Sequence, residues 1–194
     1  MDFTGIIAEY DPFHNGHAAQ LAAVRAAGAQ CIAVCMSSGA VQRGGVPILP
    51  ESVRVRAALD AGADLVVALP APYACATAEQ FAAAGVHLLA ALGCDTLAFG
   101  AETPDNILGI EYCKAILHQH AALTPLALPR LGAAHGGGAG AHAGTPMASA
   151  SFLRGLPQPD WEPFVPARAA ELYGRAAADG LLLDGARLET AVLA

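Results

Sequence analysis

Phe3 to His17 reads FTGIIAEYDPFHNGH, and the fold follows from how that stretch divides. Phe3–Ala8 is an almost continuous apolar run. A run this short, closed by polar turn residues, marks a buried strand. The turn after it holds Glu9, Tyr10, Asp11, Pro12, Phe13 and His14. Pro12 stiffens it and disfavours a helical conformation at Asp11, while Asn15-Gly16 tolerates tight or left-handed angles ahead of a helix. From His17 to Ala27 apolar residues recur at helical spacing. The stretch is a strand, a polar turn and the start of a helix.

The same alternation runs outward along the chain. Cys31–Met36, Leu65–Leu69, Thr96–Phe99 and Leu123–Leu128 read as further short buried strands. Between them Glu51–Ala61, Ala76–Leu92 and Asn106–His120 carry apolar residues three and four apart. Strand and helix in repeated alternation imply an α/β fold, a Rossmann-like doubly wound parallel sheet of about five strands. In such sheets ligands sit beyond the carboxyl ends of the strands, where strand order reverses. The first turn leaves its strand at that edge, with His14 and His17 near a helix N-terminus. Unpaired N–H groups and the helix dipole there attract phosphate, and two imidazoles can stabilise charge that develops during its transfer. The alternative is that both histidines only cap the helix.

Composition narrows the function classes. At 194 residues, 55% apolar and 14% charged, the chain can bury one ordinary core. No apolar run approaches the roughly 20 residues needed to span a bilayer, and the N-terminus lacks the features of a signal peptide, so a cytoplasmic protein without membrane contact is expected. The cysteines, Cys31, Cys35, Cys75, Cys94 and Cys113, are odd in number and form no C-x-x-C pair, which suits reduced core residues and no metal site. A net charge of −7, with Lys114 as the single lysine beside nine arginines, argues against strong nucleic-acid binding by this chain alone.

GIIAEYDPFHNGH, residues 5–17, is similar to the opening of the bacterial tRNA(Met) cytidine acetate ligases, a branch of the H-x-G-H nucleotidyltransferase superfamily. The resemblance continues in the family's order through VCMSSGAVQRGG, AGADLVVALPAPYACATAEQFAAAGVHLLAALG, LAFGAE, NILGIEY, PLALPR and SASFLR, covering residues 4–165. It implies a nucleotidyltransferase domain over 1–165, with 166–194 as a helix and tail where the family's C-terminal helical domain should begin. It further implies ATP, with Mg²⁺, as substrate, acetate activated as acetyl-adenylate, and transfer of the acetyl group to the wobble cytidine of elongator tRNA(Met). An adenylyltransferase acting on a small phosphorylated acceptor, and a truncated, non-catalytic nucleotide-binding remnant, remain the alternatives.

Carried over residue by residue, the resemblance places the ATP-contacting segment on Ile6, Ile7, Ala8, Glu9, Tyr10, Asp11, Pro12, Phe13, His14, Asn15, Gly16 and His17, with His14 and His17 as the catalytic pair. Gly100, Asn106 and Arg130 match further nucleotide positions, and Gly100 lets a base or ribose approach the backbone. Ser149, Ser151 and Arg154 resemble the superfamily's second phosphate motif, at another helix start. Asn106 could instead be an N-cap, and Arg130 or Arg154 a surface ion pair. Gln42 and Arg43 match on the loop after the second strand, with substrate contact left open. Three departures stand out. Asp11 replaces the usual Asn, Glu51 an expected Lys, and Ala68 the usual acid, so Asp11 and Glu51 make the pocket less welcoming to anions. Thr103 to Asp105 also stand where family members carry a substantial insertion.

The remaining features read as ordinary. The glycine-rich stretch holding His135 and His142 suits a flap or loose linker. His118 and His120 end a helix. Pro157–Pro166, with Trp161, suits an extended surface strap, and the helix beyond 166 would need a partner or further domain to pack against. Arg54, Arg56, Arg168 and Arg175 are candidates for a local basic patch.

Overall fold

Apolar runs and sheet coincide closely. The computed structural model describes residues 2–42, 44–101, 107–129 and 138–183. Strands β1 (Phe3–Ala8), β2 (Cys31–Ser37), β3 (Leu65–Leu69), β4 (Thr96–Ala101) and β5 (Thr124–Pro129) pair in parallel in the order β3-β2-β1-β4-β5. Strand order reverses at β1, so the crevice between the carboxyl ends of β1 and β4 is the switch point. The ladder there is short. It registers Thr4 with Thr96 and Gly5 with Leu97, although both strands continue beyond those residues. β1 and β4 therefore part above Gly5.

Helices α1 (Asn15–Ala26) and α2 (Glu51–Asp60) cover one face of the sheet, and α3 (Ala78–Ala91) and α4 (Ile107–His118) the other. One core joins Ile6, Ile32, Val34 and Met36 to Leu21, Val24, Ala57 and Ala58. The opposite core joins Ala33, Cys35 and Leu97 to Phe81, Val86, Leu89, Tyr112 and Ile116. Glycine brings α3 hard against β1. A β-carbon at Gly5 would stand 2.6 Å from Leu89 Cδ1, and one at Gly85 2.5 Å from Ile7 Cδ1.

Helix α1 starts two residues earlier than its apolar periodicity indicates, because His14 supplies the cap and draws Asn15 and Gly16 into the first turn. The left-handed backbone expected at Asn15-Gly16 falls instead on Tyr10, with φ 51°. Tyr10 is buried, and its ring packs on Phe13 and His17 with centroids 4.8 Å away in each case.

The C-terminal third departs most from expectation. Residues 138–148, anticipated as part of a loose flap, form a hairpin of β6 (Ala139–His142) and β7 (Thr145–Ala148). Ala143 and Gly144 both take positive φ, the geometry of a two-residue turn that suits strand twist. His142 is exposed on β6, while His135 lies outside the described residues. After α5 (Ala150–Arg154) the expected extended strap is a 3-10 segment over Gln158–Phe164. The cause is Trp161. Its indole is 1% exposed, donates from Nε1 to Leu153 O at 2.7 Å, and stands edge-on to Tyr173. Helix α6 (Ala167–Ala178) finds its packing surface within the chain: Ala169, Tyr173 and Ala176 join the α1–α2 core, and Tyr173 donates to Phe13 O at 2.9 Å.

Candidate active site at the switch point

A cavity of about 300 Å³ opens where β1 and β4 part. Glu9, Tyr10 and Asp11 follow β1 along its rim, and Gly100 of β4 faces them. On the α1 side it meets His14, Gly16, His17 and Gln20, with Met147, Ala148 and Ala150 closing over. On the other side the wall is Ile7, Phe81, Phe99, Leu108 and Tyr112. The cavity thus has a polar end beside a helix N-terminus and an apolar end between α3 and α4.

The histidines hold one another in place. His14 is the N-cap of α1, and its Nδ1 accepts from the Gly16 N–H at 3.1 Å. His17, at the third helical position, accepts on Nδ1 from the His14 N–H at 3.3 Å, completing a capping box. The rings stack with centroids 3.7 Å apart and planes 21° from parallel. An Nδ1 that accepts from an amide leaves the neutral ring its proton on Nε2. Both imidazoles are therefore fixed in the tautomer that can donate from Nε2 to a phosphate oxygen. Capping and site geometry are one arrangement here. The expectation of unpaired amides is not met at Gly16 and His17, whose N–H groups go to His14 Nδ1 and His14 O.

Behind the rim lies an arginine whose sequence position gave no hint of its environment. Arg54 is 0% exposed, so it belongs to no surface patch. It donates to Leu49 O at 3.2 Å, to Glu9 O and Ser37 O at 2.8 Å each, and to Ser38 O. These carbonyls end β1 and β2 or lie in the loops that follow. A rigid guanidinium fork can gather them where no strand continues. Asp11, 3% exposed, sits beside it and accepts on Oδ1 from the Ile48 N–H at 2.8 Å. Burial pushes the Asp11 carboxyl above its usual range, and the Ile48 bond, Arg154 and Arg54 pull the other way. The same burial lowers Arg54, with Asp11 as the leading opposing charge. The charge that Asp11 adds beside the cavity is thus partly offset by two guanidinium groups.

The expected site residues separate into groups. Ile7, Ala8, Glu9, Tyr10, Asp11, His14, Gly16, His17 and Gly100 line the cavity. Ile6 and Phe13 point into the α1–α2 core, and Asn15 donates to Pro146 O and Pro163 O at 2.9 and 3.1 Å, so these three and Pro12 do not form its wall. Ser149 caps α5, accepting from the Phe152 N–H at 3.2 Å, and its hydroxyl lies 3.1 Å from that of Ser151. Arg154 donates to Asp11 O at 2.5 Å and stands 3.6 Å from Asp11 Oδ2. Ser149, Ser151 and Arg154 border the site through Asp11 and Ala150 and do not line it. Asn106, Arg130 and Arg43 lie outside the described residues. Gln42 does line the cavity, with its N–H donating to Glu9 Oε1 at 2.7 Å. Sequence reasoning missed Gln20 and the wall of Phe81, Phe99, Leu108 and Tyr112, whose spacing signals only helix and strand cores.

A family model described as HIGH Nucleotidyl Transferase matches residues 1–105. The tRNA(Met) cytidine acetate ligase of Latilactobacillus sakei is 51% identical over 105 residues, covering 54% of this chain and 27% of the relative. That of Syntrophotalea carbinolica is 32% identical over 252 aligned positions, covering 100% of this chain and 60% of the relative. The chain spans between 27% and 60% of the length of these two relatives. Among solved structures, Thermotoga maritima TmcAL bound with alpha-thio ATP superimposes with a TM-score of 0.81 at 22% identity, over 94% of this chain and 57% of that one. The pantothenate synthetase of Thermus thermophilus gives a TM-score of 0.53 at 17% identity, over 91% of this chain and 70% of that one. Both structural likenesses concern the fold.

Proposed function

The chain belongs to the HIGH nucleotidyl transferase family, and from that premise we propose that it uses ATP, as its magnesium complex, to activate acetate for the modification of a cytidine in tRNA(Met). The paired imidazoles at the switch point carry this reading. In the first step an acetate oxygen attacks the α-phosphorus of ATP. The bond to the β-phosphate breaks, pyrophosphate leaves with the electron pair, and acetyl-adenylate remains. Negative charge builds on the phosphate oxygens as that bond breaks. The Nε2–H groups of His14 and His17, whose rings are held at Nδ1 by amide bonds, are the donors assigned to it. In the second step the exocyclic amine of the wobble cytidine of elongator tRNA(Met) attacks the acetyl carbonyl. AMP departs and the amine loses a proton.

The phosphates belong at the α1 end of the cavity, where the helix dipole favours anions. Gly100 brings no side chain to the wall where the ribose or base would sit, and among the described residues nothing lies within 4 Å of where its β-carbon would be. Ser149, Ser151 and Arg154, which border the cavity, are assigned to the nucleotide together with Asn106 and Arg130. Pyrophosphate exchange tests the reading. With MgATP and labelled pyrophosphate, label should enter ATP only when acetate is present, since acetyl-adenylate formation reverses while the intermediate stays bound. Exchange that ignores acetate and responds to a phosphorylated acceptor would assign the chain to adenylyl transfer instead.

A further inference from the structure

The apolar end of the cavity has no part in the phosphate chemistry above. Ile7, Phe81, Phe99, Leu108 and Tyr112 line it between α3 and α4, with the Glu9 carboxylate acting on Tyr112 from the rim. Its depth is governed by a contact outside the cavity. Ile7 leans back on α3 at Gly85, where an added β-carbon would lie 2.5 Å from Cδ1, 2.9 Å from Cγ1 and 3.2 Å from Cγ2. Three carbons of one β-branched side chain are involved, so turning a single methyl group relieves nothing, and Ile has few alternative rotamers to adopt. With α3 behind it, the side chain can yield only forward, into the cavity.

We propose that this apolar end seats the alkyl group of the carboxylic acid, and that Gly85, by letting Ile7 sink against α3, sets the length of acid accepted. The inference rests on the reading of the chain as an acid-activating nucleotidyltransferase. An acid between the two ends would direct its carboxylate toward the phosphates and its alkyl group toward Ile7 and the aromatic wall, which is the arrangement that removes most apolar surface from water. Gly85 touches no substrate in this scheme and acts as a positioning residue through Ile7. Gly5 provides the control. It packs as tightly on the same helix, 2.6 Å from Leu89 Cδ1 by the same construction, yet Leu89 is 0% exposed and forms no part of the cavity wall.

The test is calorimetric binding of non-hydrolysable acyl-sulfamoyl adenosines bearing acetyl, propionyl or butyryl groups, with ATP titrated in parallel. Ile7→Ala should raise the butyryl-to-acetyl affinity ratio by roughly tenfold or more, the scale on which one methylene is discriminated in an apolar pocket. Gly85→Ala should lower the propionyl-to-acetyl ratio by a similar factor, and combining it with Ile7→Ala, which removes all three carbons that the new β-carbon would meet, should abolish that fall. Gly5→Ala should leave both ratios unchanged. Ile7→Ala removes atoms without adding any, so it carries the test even where Gly85→Ala does not fold. Unchanged ratios in Ile7→Ala, or an equal shift in Gly5→Ala, with ATP still bound, would overturn the assignment of the alkyl seat alone. Failure of the parent chain to bind ATP or any analogue would overturn the functional reading on which it rests.

Discussion

His17 serves as third residue of a helix, as acceptor for the His14 amide and as cavity wall. If its Nε2–H stabilises charge that appears only in the transition state, His17→Ala should slow acetate-dependent exchange by roughly 10²-fold while ATP affinity changes far less. Measuring exchange rate and ATP affinity on the same variant checks this, and an equal loss in both would make the residue a ground-state contact. Asp11 gives the pH prediction. Its carboxyl is raised by burial, so ionisation opposes folding: the stability tied to its protonated form is complete below the ordinary carboxylate range and lost as pH rises through the raised value. Asp11→Asn keeps an oxygen for the Ile48 N–H and removes the charge. It should therefore unfold at higher denaturant concentration than the parent at pH 7, with the advantage shrinking toward pH 4. A less stable variant at pH 7 would mean that the pairing with Arg54 and Arg154 outweighs the burial. The imidazole pair was legible in the sequence because H-x-G-H after a strand has few other uses. Arg54 was not, because nothing along the chain distinguishes an arginine on a solvated helix face from one whose fork closes two strand ends.

At the scale of elements, β1 and β3 match their apolar runs residue for residue, and the helices follow within a few residues. Short buried strands flanked by Gly, Pro or Asp leave little room for another register. The strap over 157–166 was misread for a definable reason. Pro and Gly announce a break but not what the break packs against, and only tertiary contact turns Gln158–Phe164 into 3-10 turns around a buried indole. Trp161 bonds Leu153 of α5 and meets Tyr173 of α6, so it ties both to the core. Trp161→Ala should cost about 3–5 kcal/mol, the usual penalty for emptying an aromatic site. Denaturant unfolding followed by far-ultraviolet circular dichroism measures it, and a loss below about 1 kcal/mol would show that α5 and α6 hold without it.

The whole molecule is acidic, with a net charge of −7, and among the described residues its arginines are buried or paired with carboxylates. Of the four that could have formed a basic patch, Arg54 is buried. Arg56 pairs with Asp60 at 2.8 Å, and Arg168 and Arg175 both meet Glu171, at 2.7 and 3.6 Å. Counterion release supplies most nonspecific affinity for nucleic acid, and among the described residues few cations remain to drive it. Residues 1–194 should bind elongator tRNA(Met) no tighter than about 10⁻⁴–10⁻⁶ M at physiological salt. Filter binding decides the matter: submicromolar, anticodon-dependent affinity would place the tRNA surface on this chain after all.

The parting of β1 and β4 above Gly5 also gives the molecule an isotopic clock. Paired sheet amides exchange with deuterium only when the structure opens, whereas amides along a crevice that water can enter are protected chiefly by whatever fills it. The rim from Ile7 to Asp11 borders the cavity on one side of that crevice, while Phe3–Gly5 lie in the closed part of the ladder. Uptake should therefore be slow at Phe3–Gly5 in every state. At those amides of Ile7–Asp11 that β2 does not pair, it should be fast in the empty chain and slow once MgATP is added. Occupancy would then be read from the backbone itself, without turnover or substitution, and equal uptake with and without nucleotide would mean that the ligand does not enter between these strands.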